Sequence, residues 1–524
     1  MDNQIATHDL DNESTDALPL SSSHPKGLYV CFFTEMWERF SFYGLKALLI
    51  FYLTEHFLFS DVQATNIFGN YFALVYAFPI LGGLLADKYL GSKRAVTFGA
   101  VLLCVGHLGM AFEGTPSYYT DNGELVQSQT LPIFYVSLAF IIVGVGFLKP
   151  NISGIVGKLY HVNDPRKDAG FTIFYMGINL GAALAAILCG YVGRVYGWPY
   201  GFGLAGIGML FGLIVFLLGQ PLLKGHADAP DLINLKKPIV SVFSIEHIIY
   251  LTSLVLVGVV ALIVGNHQIV AGILGFTLVA ISVWLIWFCI NEVSSSVKQK
   301  LYAAVSLTMM STVFFLCFLQ SGSSMNLFAD RVVNRVVFGM EIPAPILQSL
   351  NAIFIIILAP IFAYGWKILV QRKREPSTPI KFALGLAQVG LGFYLLVLGI
   401  KFADEQGQVA LYWLVLAYLL HTSGELFISP IGLSMITKLS APRIVGLMLG
   451  LWFLGSAIAE YIAAWLAGSA AVPSAEVIEG GISNHQQLQT FALLYSDITW
   501  IAISGAVATL LISPMLKRWM HDVH

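Results

Sequence analysis

Stretches of about 20 mostly apolar residues recur along almost the whole chain, separated by short polar or glycine-containing turns, and a helix of that length crosses the hydrocarbon of a bilayer. In lipid, every backbone N–H and C=O must be satisfied within the segment, so each stretch reads as a helix. The pattern predicts a first group of six at 27–56, 65–87, 93–112, 131–158, 168–190 and 200–223. A polar linker with Lys236-Lys237-Pro238 follows, then spans at 245–264 and 268–290 joined by the turn Gly265-Asn266-His267-Gln268. Six more are expected at 299–325, 345–371, 380–402, 409–439, 444–469 and 489–517. The expected organisation is a polar tail (1–26), an N-terminal six-helix bundle (27–223), a linker and two-helix hairpin insertion (224–298), a C-terminal six-helix bundle (299–517) and a short second tail (518–524).

Composition agrees: 57% of the 524 residues are hydrophobic, 11% are charged and mean hydropathy is +0.76. The fold class is an all-α polytopic membrane protein, and two six-helix halves suit a transporter built on internal repeats. A net charge of −2 provides no basic field, which excludes nucleic acid as a partner. All five cysteines lie in predicted spans and read as small packing residues, with neither a disulfide framework nor a metal site. The first residues, with DNESTD and SSSHP, carry no basic start or small-residue cleavage site of a signal peptide, and a disordered tail is expected. Orientation follows from the bias of Lys and Arg toward cytoplasmic loops. With the N-terminus inside, 21 of the 28 fall on the cytoplasmic side, four (Arg194, Arg331, Arg335, Lys401) outside, and Arg39, Lys46 and Lys149 within spans. Both termini are therefore expected in the cytoplasm, with the chain in the plasma (inner) membrane.

Charges inside spans carry the functional argument. At the centre of a membrane helix a charged side chain costs roughly 2.5–3.5 kcal/mol on insertion scales, so those present face partners or a wet cavity. At about 100° per residue, Glu35, Glu38, Arg39, Tyr43 and Lys46 share one stripe of the first helix. A fixed pair that only orients the helix is the plainer reading, and a proton-sensitive ion pair is the functional one. Lys149, in GFLKPN, precedes a helix-kinking Pro150. It reads either as a permanently paired lysine or as a cation that exchanges partners when a ligand arrives. In HTSGELFISP, His421, Glu425 and Ser429 stand at i, i+4 and i+8, which places a carboxylate in the opposite half. Cations in one half facing an anion in the other suit a zwitterion such as a short peptide. Tyr175 and Asn179 at i, i+4, Asn351 and Trp452 are polar or aromatic groups able to line such a pocket, or simply to pack helices.

Three motifs resemble one family. Glu35-Met36-Trp37-Glu38-Arg39-Phe40 followed by SFYG is similar to the ExxERF signature of proton-coupled oligopeptide transporters of the major facilitator superfamily. GGLLADKYLGSKR (82–94) and FTIFYMGINLG (171–181) resemble that family's two further signatures, and the six-two-six layout resembles its prokaryotic members with fourteen helices. The resemblance spans nearly the full chain. It implies a symporter, not an enzyme, that imports di- and tripeptides by alternating access, with the proton as co-transported ion and no other cofactor. Its partners would be peptide, protons and the lipid bilayer, with no oligomer required. It further implies that Glu35, Glu38, Arg39 and Lys149 couple protons, and that Tyr43, Lys46, Tyr76 and Lys149 meet the peptide carboxylate. Glu425, with Asn179 and Asn351, would meet the ammonium, and Tyr175, Ser429 and Trp452 would line the pocket. Asp87, Lys88, Lys93 and Arg94 would form a cytoplasmic loop that biases conformational exchange.

The chain departs from the family pattern at three places. Lys46 stands where many members have arginine, and Leu319 stands where many carry an acid, so that salt bridge cannot form. Gly69 replaces the histidine of animal members, and His107 and His421 are expected to be hydrogen-bonded interior residues. Glu460 has no family counterpart and reads as either a second titrating site or a structural pair, the latter preferred. The hairpin at 245–290 holds no buried charge and is expected to be structural. Uptake of another small anion such as nitrate is the alternative on the same scaffold, and a channel or receptor the alternative of a different class; Glu425 and the full ExxERF favour peptide with protons.

Overall fold

The structure, a computed structural model, describes residues 23–161, 164, 166–240, 243–469, 484–521 and 523. The helices in chain order are α1 (Lys26–Phe51), α2 (Asp61–Ala77), α3 (Pro79–Leu85), α4 (Gly91–Met110), α5 (Leu131–Lys158), α6 (Lys167–Tyr196), α7 (Trp198–Gly219), α8 (Leu232–Lys236), α9 (Ile245–Ile263) and α10 (His267–Asn291). The second half holds α11 (Ser295–Phe318), α12 (Ser324–Arg331), α13 (Ser349–Gln371), α14 (Thr378–Lys401), α15 (Leu411–Leu439), α16 (Val445–Ser469) and α17 (Asn484–Trp519). Among the described residues, twelve helical stretches are long and apolar enough to span a bilayer. α1 adds one more despite five charged residues in its sequence. Asp61–Met110 runs for 50 residues, about 75 Å at 1.5 Å per residue, and so must cross twice. Its reversal falls at Gly91, where φ is +72° and a Cβ would sit 2.5 Å from backbone atoms of Asp228 and Ala229. The fold is thus a fourteen-helix membrane protein: two six-helix bundles with an inserted two-helix hairpin.

Helix ends depart from the expected bounds wherever helices run on through polar residues. The second span begins at Asp61 instead of 65 because Ser60 and Gln63 form a capping box, each side chain bonding the other's backbone N–H at 3.3 Å. The ninth continues past 325 as α12 to Arg331, and the last runs from Asn484 to Trp519. The expected tail at 1–26 lies outside the described residues except for its last four positions. There Lys26 already starts α1, and His24 Nδ1 lies 2.8 Å from the Tyr160 hydroxyl.

α1 is the central helix of its half, with 21 of its 26 residues buried. Glycines on α6 and α7 allow that approach: a Cβ at Gly181 would lie 2.2 Å from the Met36 carbonyl oxygen, and one at Gly208 2.4 Å from the Phe40 ring. The five cysteines are free, all but Cys104 fully buried, as small packing residues should be. The halves meet along α2 and α16, where a Cβ at Gly69 would lie 2.2 Å from that of Ala464. No side chain larger than glycine's hydrogen fits at 69 in this arrangement, which explains why a histidine cannot occupy it.

Candidate functional site

Placing α1 at the centre of a bundle turns its charged stripe toward protein instead of lipid. Arg39 donates from Nη2 to Glu38 Oε1 at 2.6 Å and from Nε to the other Glu38 oxygen, and the same Nε is 3.2 Å from Glu35 Oε1. All three are buried, and the guanidinium also lies 4.9 Å from the Phe42 ring centre. Glu35 Oε2 makes no hydrogen bond among the described residues. Glu38 is therefore the firm partner of Arg39 and Glu35 the loose one.

Lys149 sits where Pro150 interrupts α5. Proline cannot donate to the Gly146 carbonyl one turn back, and α3 closes on that carbonyl so tightly that a Cβ at Gly82 would be 2.1 Å away. The Lys149 ammonium lies 4.4 Å from the centre of the Tyr76 ring, and among the described residues no carboxylate is within 4.0 Å of it. Of the two readings of Lys149, the arrangement suits the cation without a fixed carboxylate: Glu35 and Glu38 lie on Arg39, and Lys149 is left with a cation–π contact.

A cavity of about 250 Å³ opens between the halves. Tyr43, Lys46, Tyr76, Tyr175 and Asn179 line it from one half, and Asn351, Glu425, Ser429 and Trp452 from the other. Nine of the ten residues expected to meet substrate thus share one cavity; Lys149 does not line it and stands behind Tyr76. Glu425 Oε2 accepts from Asn351 Nδ2 at 3.0 Å, and the same amide nitrogen reaches Thr422 Oγ1 at 3.1 Å. Asn351 therefore orients the carboxylate. Asn179 donates to the Tyr175 carbonyl at 3.0 Å within its own helix, leaving its amide oxygen for the cavity. The Ser429 hydroxyl has no hydrogen-bond partner among the described residues, whereas Trp452 packs on Gly432, where a Cβ would be 2.1 Å from the indole.

Lys46 runs between the Phe72 ring, 4.9 Å from its ammonium, and Gly322, to reach Glu460 Oε1 on α16 at 3.6 Å. Glu460, for which a structural pair is the preferred reading of the sequence, is thus found opposite a cation from the other half. With Leu319 in place of an acid on the ninth span, Glu460 is the carboxylate within ion-pair distance of Lys46 among the described residues. His107, expected to be hydrogen-bonded, has no partner for either ring nitrogen among the described residues, because α4 packs it among apolar neighbours. His421, given the same expectation, likewise has no hydrogen-bond partner for either ring nitrogen among the described residues and lies on the Phe393 ring, with centroids 4.5 Å apart.

Asp87, Lys88, Lys93 and Arg94 do not pair with one another. Lys93 pairs with Asp228 of the linker, Arg94 Nε lies 3.2 Å from Glu246 at the start of α9, and Lys88 covers the Tyr89 ring at 5.1 Å. The hairpin is consequently held by charge as well as by packing. At its far turn, Asn70 donates to the Val264 carbonyl at 2.9 Å, His267 Nδ1 is 2.9 Å from Asn70 Oδ1, and the His267 ring stacks on Tyr461 at 4.0 Å. That same end carries ion pairs between the halves: Arg331 grips Asp61 with two bonds of 2.6 and 2.7 Å, and Arg194 reaches Asp330 at 3.3 Å. Among the described residues, no ion pair joins the two bundles at the opposite end. Nor does any group of three or more His, Cys, Asp and Glu there form a metal site.

Two bundles enclosing a cavity of mixed charge, closed at one end by interhelical pairs, define a secondary transporter of the major facilitator type. The POT family model matches residues 93–487. The uncharacterized transporter YclF of Bacillus subtilis is 36% identical, covering 98% of this chain and 99% of its own. The dipeptide and tripeptide permease A of Pectobacterium carotovorum is 32% identical, covering 99% and 97%. The crystal structure of a peptide transporter, POT, in complex with alafosfalin superposes with a TM-score of 0.79 at 33% identity, covering 95% of this chain and 96% of that one. The chain belongs to the POT family.

Proposed function

We propose that the protein is a proton-coupled symporter that imports di- and tripeptides by alternating access of the cavity between bundles 27–223 and 299–517. The observation that carries this reading is the single cavity with Lys46 on one wall and an Asn351-oriented Glu425 on the other. A peptide's carboxylate turns toward Lys46, and its ammonium toward Glu425. A lone small anion has no use for Glu425, which argues against the nitrate reading. Relatives that are peptide permeases and peptide transporters support the same substrate class.

Charge counting supplies the coupling. With both acids ionised, Glu35, Glu38, Arg39 and Lys149 sum to zero; a peptide carboxylate beside these cations leaves one negative charge in surplus, and a proton on an acid restores neutrality. Glu35, held by one contact at 3.2 Å, is the acid more easily released; the firm Glu38 pair then holds Arg39. Lys149, with no carboxylate within 4.0 Å among the described residues, is the cation able to change partner. The driving force is available, since a charge crossing 100 mV is worth about 2.3 kcal/mol and each pH unit adds about 1.4 kcal/mol. Lys93 and Arg94, braced on Asp228 and Glu246, tie the cytoplasmic loop to the hairpin and act on conformational exchange, not on substrate. The Lys and Arg bias supports cytoplasmic termini, and a plasma (inner) membrane location suits import driven by an inward proton gradient.

The test is uptake of labelled dialanine into vesicles under an inward proton gradient. Accumulation above equilibrium is expected; passage that stops at equilibrium would overturn the proton-coupled reading.

A further inference from the structure

We propose that Glu460 on α16 is a second proton-coupling carboxylate of this transporter, acting through Lys46 as the ionisable latch that closes the far end of the cavity. The inference rests on the peptide–proton reading above and extends it to a residue no motif assigns.

Four observations converge on Glu460. It is 1% exposed, deep in a helix that packs directly on the opposite bundle, so an ionised carboxylate there requires a cation. That cation is Lys46, itself 6% exposed, with Nζ 3.6 Å from Glu460 Oε1. The separation exceeds the roughly 2.7–2.9 Å of a charge-assisted hydrogen bond, so the pair is held by charge and readily dissolved by a proton. The two residues also belong to different bundles, which makes the pair a bond between the parts that rock. Finally, the pair lies in the closed seam: one helical turn up α16, Ala464 meets Gly69 of α2, and the neighbouring Tyr461 stacks on His267 of the hairpin.

Other ionisable and polar groups around Glu460 fit this assignment. Lys46 comes from α1, the Lys149 ammonium and the Tyr76 phenol lie within electrostatic reach from α5 and α2, and His267 of α10 is engaged by Asn70 and Tyr461. From the turn after α11, Gln320 donates to the Ala463 carbonyl at 2.9 Å and contributes no charge. Glu425 of α15 is oriented by Asn351 in the cavity. Lys46 is thus the single cation within ion-pair distance of Glu460 among the described residues.

The cycle follows from electroneutrality. With the bundles closed at this end, ionised Glu460 holds Lys46. Opening separates the two and exposes the carboxylate to external water, from which it takes a proton. The neutral acid leaves Lys46 free for a peptide carboxylate. After the bundles close and the peptide departs to the other side, Lys46 recovers its partner, and the Glu460 proton passes to water of the inward cavity.

The experiment compares wild type, Glu460→Gln, Leu319→Glu and the double variant in vesicles, with labelled dialanine as probe. Leu319 lines the same cavity as Lys46 and begins the turn whose Gly322 touches the Lys46 side chain, so a carboxylate there meets the same ammonium. Uphill accumulation by the wild type checks the parent reading separately. For Glu460→Gln the expected result is peptide exchange within about twofold of wild type, at least a tenfold loss of gradient-driven accumulation, and a flattened rise of uptake as external pH falls. Leu319→Glu added to that variant restores both accumulation and the pH profile. Wild-type accumulation and pH profile in Glu460→Gln would overturn the assignment. So would equal loss of exchange and accumulation that Leu319→Glu does not recover.

Discussion

Replacing Glu425 by glutamine removes one negative charge from the cavity while keeping the side chain's shape and its contact with Asn351. In the wild type, Oε2 already accepts from Asn351 at 3.0 Å, so the other oxygen is the one available to a peptide ammonium. A hydrogen bond to a charged group is worth about 1.5–3 kcal/mol net, and about 1.4 kcal/mol is a factor of ten. The half-saturation concentration for dialanine should therefore rise roughly 10- to 150-fold. Peptide exchange across vesicles without a proton gradient is the assay, because it reports binding without the driving force. N-acetyl dialanine, which has no ammonium, is the control: wild type should discriminate against it by a similar factor, and Glu425→Gln should lose that discrimination. Unchanged half-saturation for dialanine, or undiminished preference for the free amine, would refute the placement of the ammonium at Glu425.

Three further outcomes follow from the geometry. Glu38→Gln dissolves the firm Arg39 pair and should lower driven accumulation severalfold while exchange continues, measured with labelled dialanine. Gly69→Val forces a side chain into a seam where even a Cβ lies 2.2 Å from Ala464, so overpacking of about 1–3 kcal/mol should lower the melting temperature of the detergent-solubilised protein, and Ala464→Gly should recover part of it. Asp61→Asn weakens the bidentate grip of Arg331 between the halves, and a cysteine introduced in the cavity should then react faster with a membrane-impermeant thiol reagent added outside.

The fold was legible because the bilayer imposes one length and one hydrogen-bonding solution on every span, so apolar runs mark helices almost without competition. Boundaries were less so: hydropathy begins only at 65 and 489, whereas the helices already start at Asp61 and Asn484, since capping and helix propensity act on polar residues too. Glu35, Glu38, Arg39 and Lys46 were recognisable as interior because a charge inside an apolar run has nowhere else to face. What each charge touches was not recognisable. Lys149 and Glu425 could each have held the other, and only tertiary packing shows one above Tyr76 and the other against Asn351. Likewise the Lys46–Glu460 pair joins residues more than 400 positions apart, and the hairpin's anchoring by Asn70, Tyr461 and Arg94 depends on neighbours that no local pattern encodes.

Coupling of peptide to proton movement within one cavity is the central claim, and proton influx on peptide addition tests it most directly. Vesicles containing the protein and an internal pH-sensitive dye, at equal pH inside and out and with an inside-negative potential, are given external dialanine. The interior should acidify only when peptide is present, and Glu38→Gln vesicles should show a clearly smaller signal. Peptide influx without acidification, or equal acidification in Glu38→Gln, would contradict the account.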